Sequence, residues 1–309
     1  MADWTTHTDP QLLRFCFATV GAPDLAAFER CYAEWMGYRV AERGLVAAEL
    51  ARSWGTPAAA GQPYVLLHSS GDSQVFIRAV RTPPAPAYRA LTTFGWNAIE
   101  IIVDDLDALN ARLAVSPFRV IGAPRPLAAM PSIHAMQVIG PAQECLYFTT
   151  ETGDRDASIL PKPSAPVDRP FILVVAGPDF AAMHRWYVER FDMKQRPIRA
   201  SRAGVVVAAQ GLGPDDTFPL TTVGLREHGY LIEIDGYLTG EGRIAGPRAV
   251  APGHLPPGNA MASFLVTDLD RVRDIAIAPP ARRDGPGYDG RLACTVRGAA
   301  GELVELIQA

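Results

Sequence analysis

The feature that most constrains this chain is that it repeats itself. DLAAFERCYAE, from Asp24, and DFAAMHRWYVE, from Asp179, agree at Asp24/Asp179, Ala26/Ala181, Ala27/Ala182, Arg30/Arg185, Tyr32/Tyr187 and Glu34/Glu189 at a single offset of 155. Each copy follows a short apolar run, RFCFATV or PFILVVA, and a turn ending in Pro-Asp. An aspartate there caps a helix whose apolar residues return at helical spacing, so both copies read strand, turn, helix. IIVDDLDAL, from Ile101, and FLVTDLDRV, from Phe264, form a second pair at offset 163, again a strand entering a capped helix. GPAQECLYF, from Gly140, and GAAGELVEL, from Gly298, close the two halves at offset 158 and align Glu144 with Glu302. Between these landmarks YVLLH, QVFIRAV, GVVVAAQ and GYLIEID read as further strands between Gly, Pro and Ser turns. Four copies of strand, helix and several strands account for nearly the whole chain.

Proline marks the seams. LPKPSAPVDRP, Leu160 to Pro170, separates a first half, 1–159, from a second, 171–309, while RTPPAPAYRA and IAGPRAVAPGHLPPG separate the copies within each half. A chain of 309 residues suits two domains of ordinary size. Its net charge of -4 lacks the basic excess that nucleic acid or an anionic membrane demands. The polar start MADWTTHTDPQ has no signal-peptide pattern and no apolar run is long enough to span a bilayer, so a cytoplasmic protein is expected. Cys16, Cys31, Cys145 and Cys294 lie far apart and read as buried thiols.

The repeated V-x-D-L-D strand ends, with the terminal GELVEL, resemble the vicinal oxygen chelate superfamily of glyoxalases, bleomycin- and fosfomycin-resistance proteins and extradiol dioxygenases. The resemblance implies an α+β fold of four βαβββ modules, paired within each half into two glyoxalase-like domains whose curved mixed sheets enclose cavities. It also implies ligands from the first and last strands of each module: histidine or glutamine from a first strand, glutamate from a last. On that pattern Glu305 and Glu233 fall on last-strand glutamates of modules four and three. The first-strand positions hold Ala98, Met261, Phe15 or Phe17, and Pro170 or Ile172, and the other last-strand positions hold Tyr147 and Ile77 or Arg78. None of the first-strand residues is a ligand, which weighs against the two-histidine, one-carboxylate iron site of a dioxygenase.

The expectation is therefore an enzyme of lyase or isomerase type acting on a small aromatic or carbonyl-bearing molecule. Glu305 and Glu233 would face one cavity as base and acid, Glu305 with a pKa raised by burial between Leu303 and Ile307. No cofactor is required, although two carboxylates suit a weakly held divalent ion, Mg, Mn or Fe. Tyr147, His134, Trp96 and Asn97 are candidate substrate contacts. Asp104, Asp105, Asp107, Asp268 and Asp270 sit at helix starts and read as caps. A non-catalytic, resistance-type binding protein is the alternative, an extradiol dioxygenase with displaced ligands a third reading, and a homodimer the expected assembly.

Overall fold

The computed structural model describes residues 9–309. Module one comprises β1 (Leu12–Ala22), α1 (Leu25–Met36), β2 (Arg39–Leu45), α2 (Ala48–Ser53), β3 (Pro63–His68) and β4 (Phe76–Arg81). Module two follows with β5 (Gly95–Val103), α3 (Leu106–Leu113), β6 (Arg119–Leu127), β7 (Met130–Ile139) and β8 (Cys145–Glu151). Module three has β9 (Val167–Gly177), α4 (Phe180–Phe191), the short β10 (Lys194–Gln195) and β11 (Arg199–Ser201), α5 (Gly204–Gln210), β12 (Phe218–Gly224) and β13 (Leu231–Gly236). Module four ends the chain with β14 (Gly258–Val266), β15 (Ala281–Arg282), β16 (Leu292–Arg297) and β17 (Leu303–Gln308). The aspartate caps form as expected: Asp24, Asp105 and Asp179 each accept the backbone N–H three residues on at 2.9 Å.

Two local expectations fail. GVVVAAQ is the helix α5, closed by Gly211 at φ 60°, not a strand. After β14 the cap at Asp268 starts only a 3₁₀ turn, Leu269–Val272, in place of the expected full helix.

The larger correction concerns pairing. The sheets do not divide the chain at 160–170 into two paired halves. One runs β15-β16-β17-β14-β1-β4-β3-β2 and joins modules four and one; the other runs β10-β12-β13-β9-β5-β8-β7-β6 and joins modules three and two. The seams are antiparallel first strands, β1 with β14 and β5 with β9. The cause is the connection between the halves. Val167 at the start of β9 already pairs with Val103 at the end of β5, and Asp104 N–H donates to Pro166 O, so the chain leaving module two is laid directly against it. The two connections inside the halves then meet each other: Thr93 bridges Gly246, and Arg248 donates to Thr93, Trp96 and Asn259.

One large apolar core lies behind both sheets. Phe15 and Phe264 from the first sheet, Ile101 and Phe171 from the second, and the buried faces of α1, α3 and α4 belong to it. The opposite, concave faces carry separate clusters, Trp54 and Met261 on the first sheet, Val174, Val206 and Tyr237 on the second. All four cysteines are buried. Among the described residues no helix is long and apolar enough to cross a membrane.

The repeat identities are explained by ties between the sheets. Tyr32 on α1 donates to Glu144 Oε1 at 2.9 Å, and Tyr187 on α4 donates to Glu302 Oε1 at 2.8 Å. The second oxygen of each glutamate accepts from its own turn, Ala142 N–H or Ala300 N–H, both at 2.8 Å. Gly140 and Gly298 are matched because a Cβ there would lie 1.9 or 2.0 Å from that carboxylate. Sheets thus join modules across the halves, and tyrosine–glutamate ties join modules within them.

Burial raises the Glu144 and Glu302 carboxyls to about 7, against the opposing pull of these hydrogen bonds. A carboxyl raised on folding favours the native state fully below its unfolded value of about 4.5 and loses that contribution as pH rises through about 7. Tyr187→Phe and Tyr32→Phe should each cost about 1–3 kcal/mol in urea unfolding, since each leaves a buried carboxyl oxygen short of a donor. Their effects should add, the ties being separate. In Glu144→Gln/Glu302→Gln the fall in stability between pH 5 and 8 should be shallower than in wild type; an identical slope would show that neither group titrates there.

Candidate functional site

Strand register defines four equivalent positions on each concave face. In the first sheet, parallel neighbours Thr19 and Arg78 lie on β1 and β4, and Ser263 and Glu305 on β14 and β17. In the second, Val174 and Glu233 lie on β9 and β13, and Glu100 and Tyr147 on β5 and β8. The repeat offsets match Thr19 with Val174, Arg78 with Glu233, Ser263 with Glu100, and Glu305 with Tyr147. The first-strand ligand positions beside the last-strand residues are thus Thr19, Val174, Ser263 and Glu100, not the expected Ala98, Met261, Phe15 or Phe17, and Pro170 or Ile172.

The first concave face is filled by its own side chains. Glu305 is 1% exposed and Arg78 3%. Arg78 Nη2 donates to Glu305 Oε2 at 2.9 Å, Nε to Thr19 at 3.0 Å, and Nη1 to the Tyr288 hydroxyl at 2.6 Å. Ser263 donates to Glu305 Oε2 at 2.5 Å, while Trp54 Nε1 and the Tyr288 hydroxyl donate to Oε1, both at 2.7 Å. The guanidinium carbon lies 4.5 Å from the Phe17 ring centre and 4.6 Å from that of Trp54, so aromatic faces complete its surroundings. The guanidinium thus sits among all the positions that would hold a metal, and supplies their positive charge.

Glu305 is accordingly not the expected base. Burial pushes its carboxyl up, but Arg78 and the donors Ser263, Trp54 and Tyr288 outweigh burial and hold it below the ordinary carboxylate value. Nor does it face Glu233, which lies on the other sheet, so the two cannot act as an acid–base pair or share an ion.

On the second sheet Glu233 and Tyr147 do come together, joined by Glu100. Glu100 is 8% exposed and accepts from Thr149 Oγ1 at 2.5 Å. Glu233 and Tyr147 are half-buried, and among the described residues neither side chain has a hydrogen-bond partner. Burial raises Glu100 to about 7; burial, then the charges of Asp235 and Glu100, raise Glu233 well above the ordinary value. Asp235, two residues along the same face, is raised by burial to about 8. α5 packs Val205 and Val206 over this face, with Phe218 and Tyr237 beside them. Its last residue, Gln210, donates to Leu91 O at 2.8 Å.

The other sequence candidates lie elsewhere. Trp96 is core: its Nε1 donates to Leu303 O of the opposite sheet at 2.7 Å, and its ring packs on Phe264 and Tyr187. Asn97 sits in a bulge of β5 and donates to Thr93 O and Gly95 O. His134 alternates onto the face of Met136 and Val138, opposite to Gln137, the cross-strand neighbour of Tyr147. Glu100 is the residue missed, although its signal was present: a charge between Ile99 and Ile101, two residues beyond Ala98 and hence on the same face. The second recess offers two carboxylates, a phenol and a valine at its ligand positions, and among the described residues no three His, Cys, Asp or Glu side chains group as a metal site. The donor set does not fit a resident divalent ion.

Glu305→Gln should therefore act on stability: it strands a buried guanidinium and should cost on the order of 3 kcal/mol in urea unfolding, with the double variant Arg78→Met/Glu305→Gln recovering part of the loss. A lowered carboxyl stabilises above its unfolded pKa of about 4.5 and loses that contribution as pH falls, so the wild-type advantage should shrink below pH 4.5. An advantage that grew on acidification would contradict the pairing.

No family model and no curated protein sequence matches the chain. Solved structures do. Glyoxalase I from Zea mays is similar with a TM-score of 0.62 at 12% identity, over 96% of this chain and 92% of that one. A protein of Bacillus subtilis assigned as a dioxygenase is similar with a TM-score of 0.62 at 11% identity, over 97% of this chain and 86% of that one. With four modules in two curved mixed sheets, the chain has a glyoxalase-like fold.

Proposed function

We propose that the protein is an enzyme of isomerase or lyase type that moves a proton on a small carbonyl-bearing molecule in the recess of the second sheet. The observation that carries this reading is the pair Glu233 and Glu100, two carboxyls on one concave face that, together with Asp235, gather negative charge around each other. Like charges in a water-poor recess cannot both ionise cheaply, so near neutrality one carboxyl keeps a proton while the other is free to accept one. That is the state a proton-transfer pair needs.

The roles follow from the order in which the carboxyls ionise. Glu100, raised only to about 7 and so the first of the pair to ionise, takes a proton from the carbon beside the carbonyl; the C–H electron pair moves to the carbonyl oxygen as an enolate. Tyr147, beside it, donates its hydroxyl to that oxygen. Glu233, raised further by burial and by the charges of Asp235 and Glu100 and so protonated near neutrality, supplies the proton that completes the transfer. Aromatic walls at Tyr147, Tyr237 and Phe218 suit a flat substrate. Arg78 and Glu305 hold the first sheet closed and take no part.

A panel of small carbonyl compounds incubated with the protein in D₂O tests the reading. Deuterium should appear beside the carbonyl of the accepted compounds, read by proton NMR, faster as pH rises through about 7 because the base must be deprotonated. Glu100→Gln should lower the rate at least about 100-fold, and Glu305→Gln, where folded, should leave it near wild type. Binding of panel members without exchange would favour a sequestering protein of the resistance type.

A further inference from the structure

We propose that the substrate recess takes an organic cation, a small molecule bearing a protonated amine or an amidinium, with Asp235 and Tyr237 as its counter-groups. The proposal rests on the proton-transfer reading for its substrate and adds the substrate's charge.

The first sheet shows how this fold holds such a group. There the cation is internal: the Arg78 guanidinium, bonded to a carboxylate and lying on the faces of Phe17 and Trp54. On the second sheet the equivalent of Arg78 is Glu233, so the internal cation is replaced by an anion while an acidic and aromatic lining remains. Glu100, Glu233 and Asp235 share that face, and among the described residues none of the three is ion-paired with a basic side chain. Three buried acids without a counter-charge are costly to ionise, and a bound cation supplies what the chain does not.

Unused hydrogen-bonding groups locate the cation. Asp235 is 2% exposed, Tyr237 3% and Gln137 8%, yet among the described residues Asp235 Oδ1, the Tyr237 hydroxyl oxygen and Gln137 Oε1 have no hydrogen-bond partner. Buried polar atoms are nearly always satisfied, so three orphans around one recess point to a ligand. Gln137 Oε1 and an ionised Asp235 only accept and the Tyr237 hydroxyl can accept, so an ammonium or amidinium, which donates and also supplies the missing positive charge, suits all three together. Asp235 lies on the face of β13 that carries Glu233, and Gln137 on β7 stands across from Tyr147. Gln137 fits because Gly122 has no Cβ, which would meet Oε1 at 2.1 Å. Asp235 and Tyr237 thus form a cation end, and Glu233, Glu100 and Tyr147 a reaction end.

Isothermal titration of the folded protein with phenethylamine and benzamidine, against phenethyl alcohol and benzoate, tests this. The two cations should bind at least about tenfold more tightly than the alcohol, and benzoate not measurably. Asp235→Asn, close in shape, should abolish the preference, and Tyr237→Phe, which removes only the orphaned hydroxyl, should weaken it severalfold. Equal affinity for amine and alcohol, or a preference that survives both Asp235→Asn and Tyr237→Phe, overturns the proposal. Cation binding without deuterium exchange in any amine-bearing carbonyl compound would leave the cation site standing and remove the proton-transfer reading. Exchange confined to neutral compounds, with no cation preference, would do the reverse.

Discussion

Two antiparallel seams, β1 against β14 and β5 against β9, decide which side chains of this protein can meet. Each seam places the last strands of two modules on either side of a pair of first strands, and each curved sheet gathers its four strand positions on one concave face. Because the seams join modules one with four and two with three, Glu305 is committed to the company of Arg78, and Glu233 to that of Glu100 and Tyr147. The tyrosine–glutamate ties work in the other direction, holding module one to two and three to four. Each module is therefore bonded to two others, one by a sheet and one by a buried phenol.

The repeated architecture was legible in the sequence because it rests on short-range patterns. Aspartate caps, strand alternation and glycine turns recur at offsets that need no knowledge of contacts. Even the identities Tyr32/Tyr187 and Glu144/Glu302, unexplained as text, record a repeated bond. Pairing was less legible, because the same four modules satisfy the same patterns however they are matched; the choice depends on where a short connection delivers β9. Trp54 and Tyr288 were invisible for a related reason. Their bonds to Glu305 span 251 and 17 residues, one from the end of α2 and one from a loop, and no local pattern announces either. Glu100 is the opposite case, a residue that alternation alone would have found.

A carboxylate in an apolar strand has opposite meanings on the two sheets. At Glu305 the cost of burial is offset by a guanidinium and three hydroxyl or indole donors, and the group is held as an anion below its ordinary pKa. At Glu233 there is no such set, and burial with neighbouring acids drives the group toward its protonated form. Burial is common to both and decides neither. What decides is whether the equivalent of Arg78 is an arginine or an acid, one position out of four in each sheet.

Duplication explains how such a contrast can persist. A single cavity that filled itself with an arginine–glutamate pair would lose any room for a ligand, whereas a chain with two cavities keeps one when the other closes. The closed face has a structural use: Glu305 and its donors link α2, β4, β14, β17 and the loop carrying Tyr288 around one buried charge pair. Buried pairs of this kind add little net stability over an apolar filling, but they penalise any arrangement that separates the partners. The first sheet thus gains a fixed register, and with it a rigid support for the second, where three acids are held close without a cation of their own.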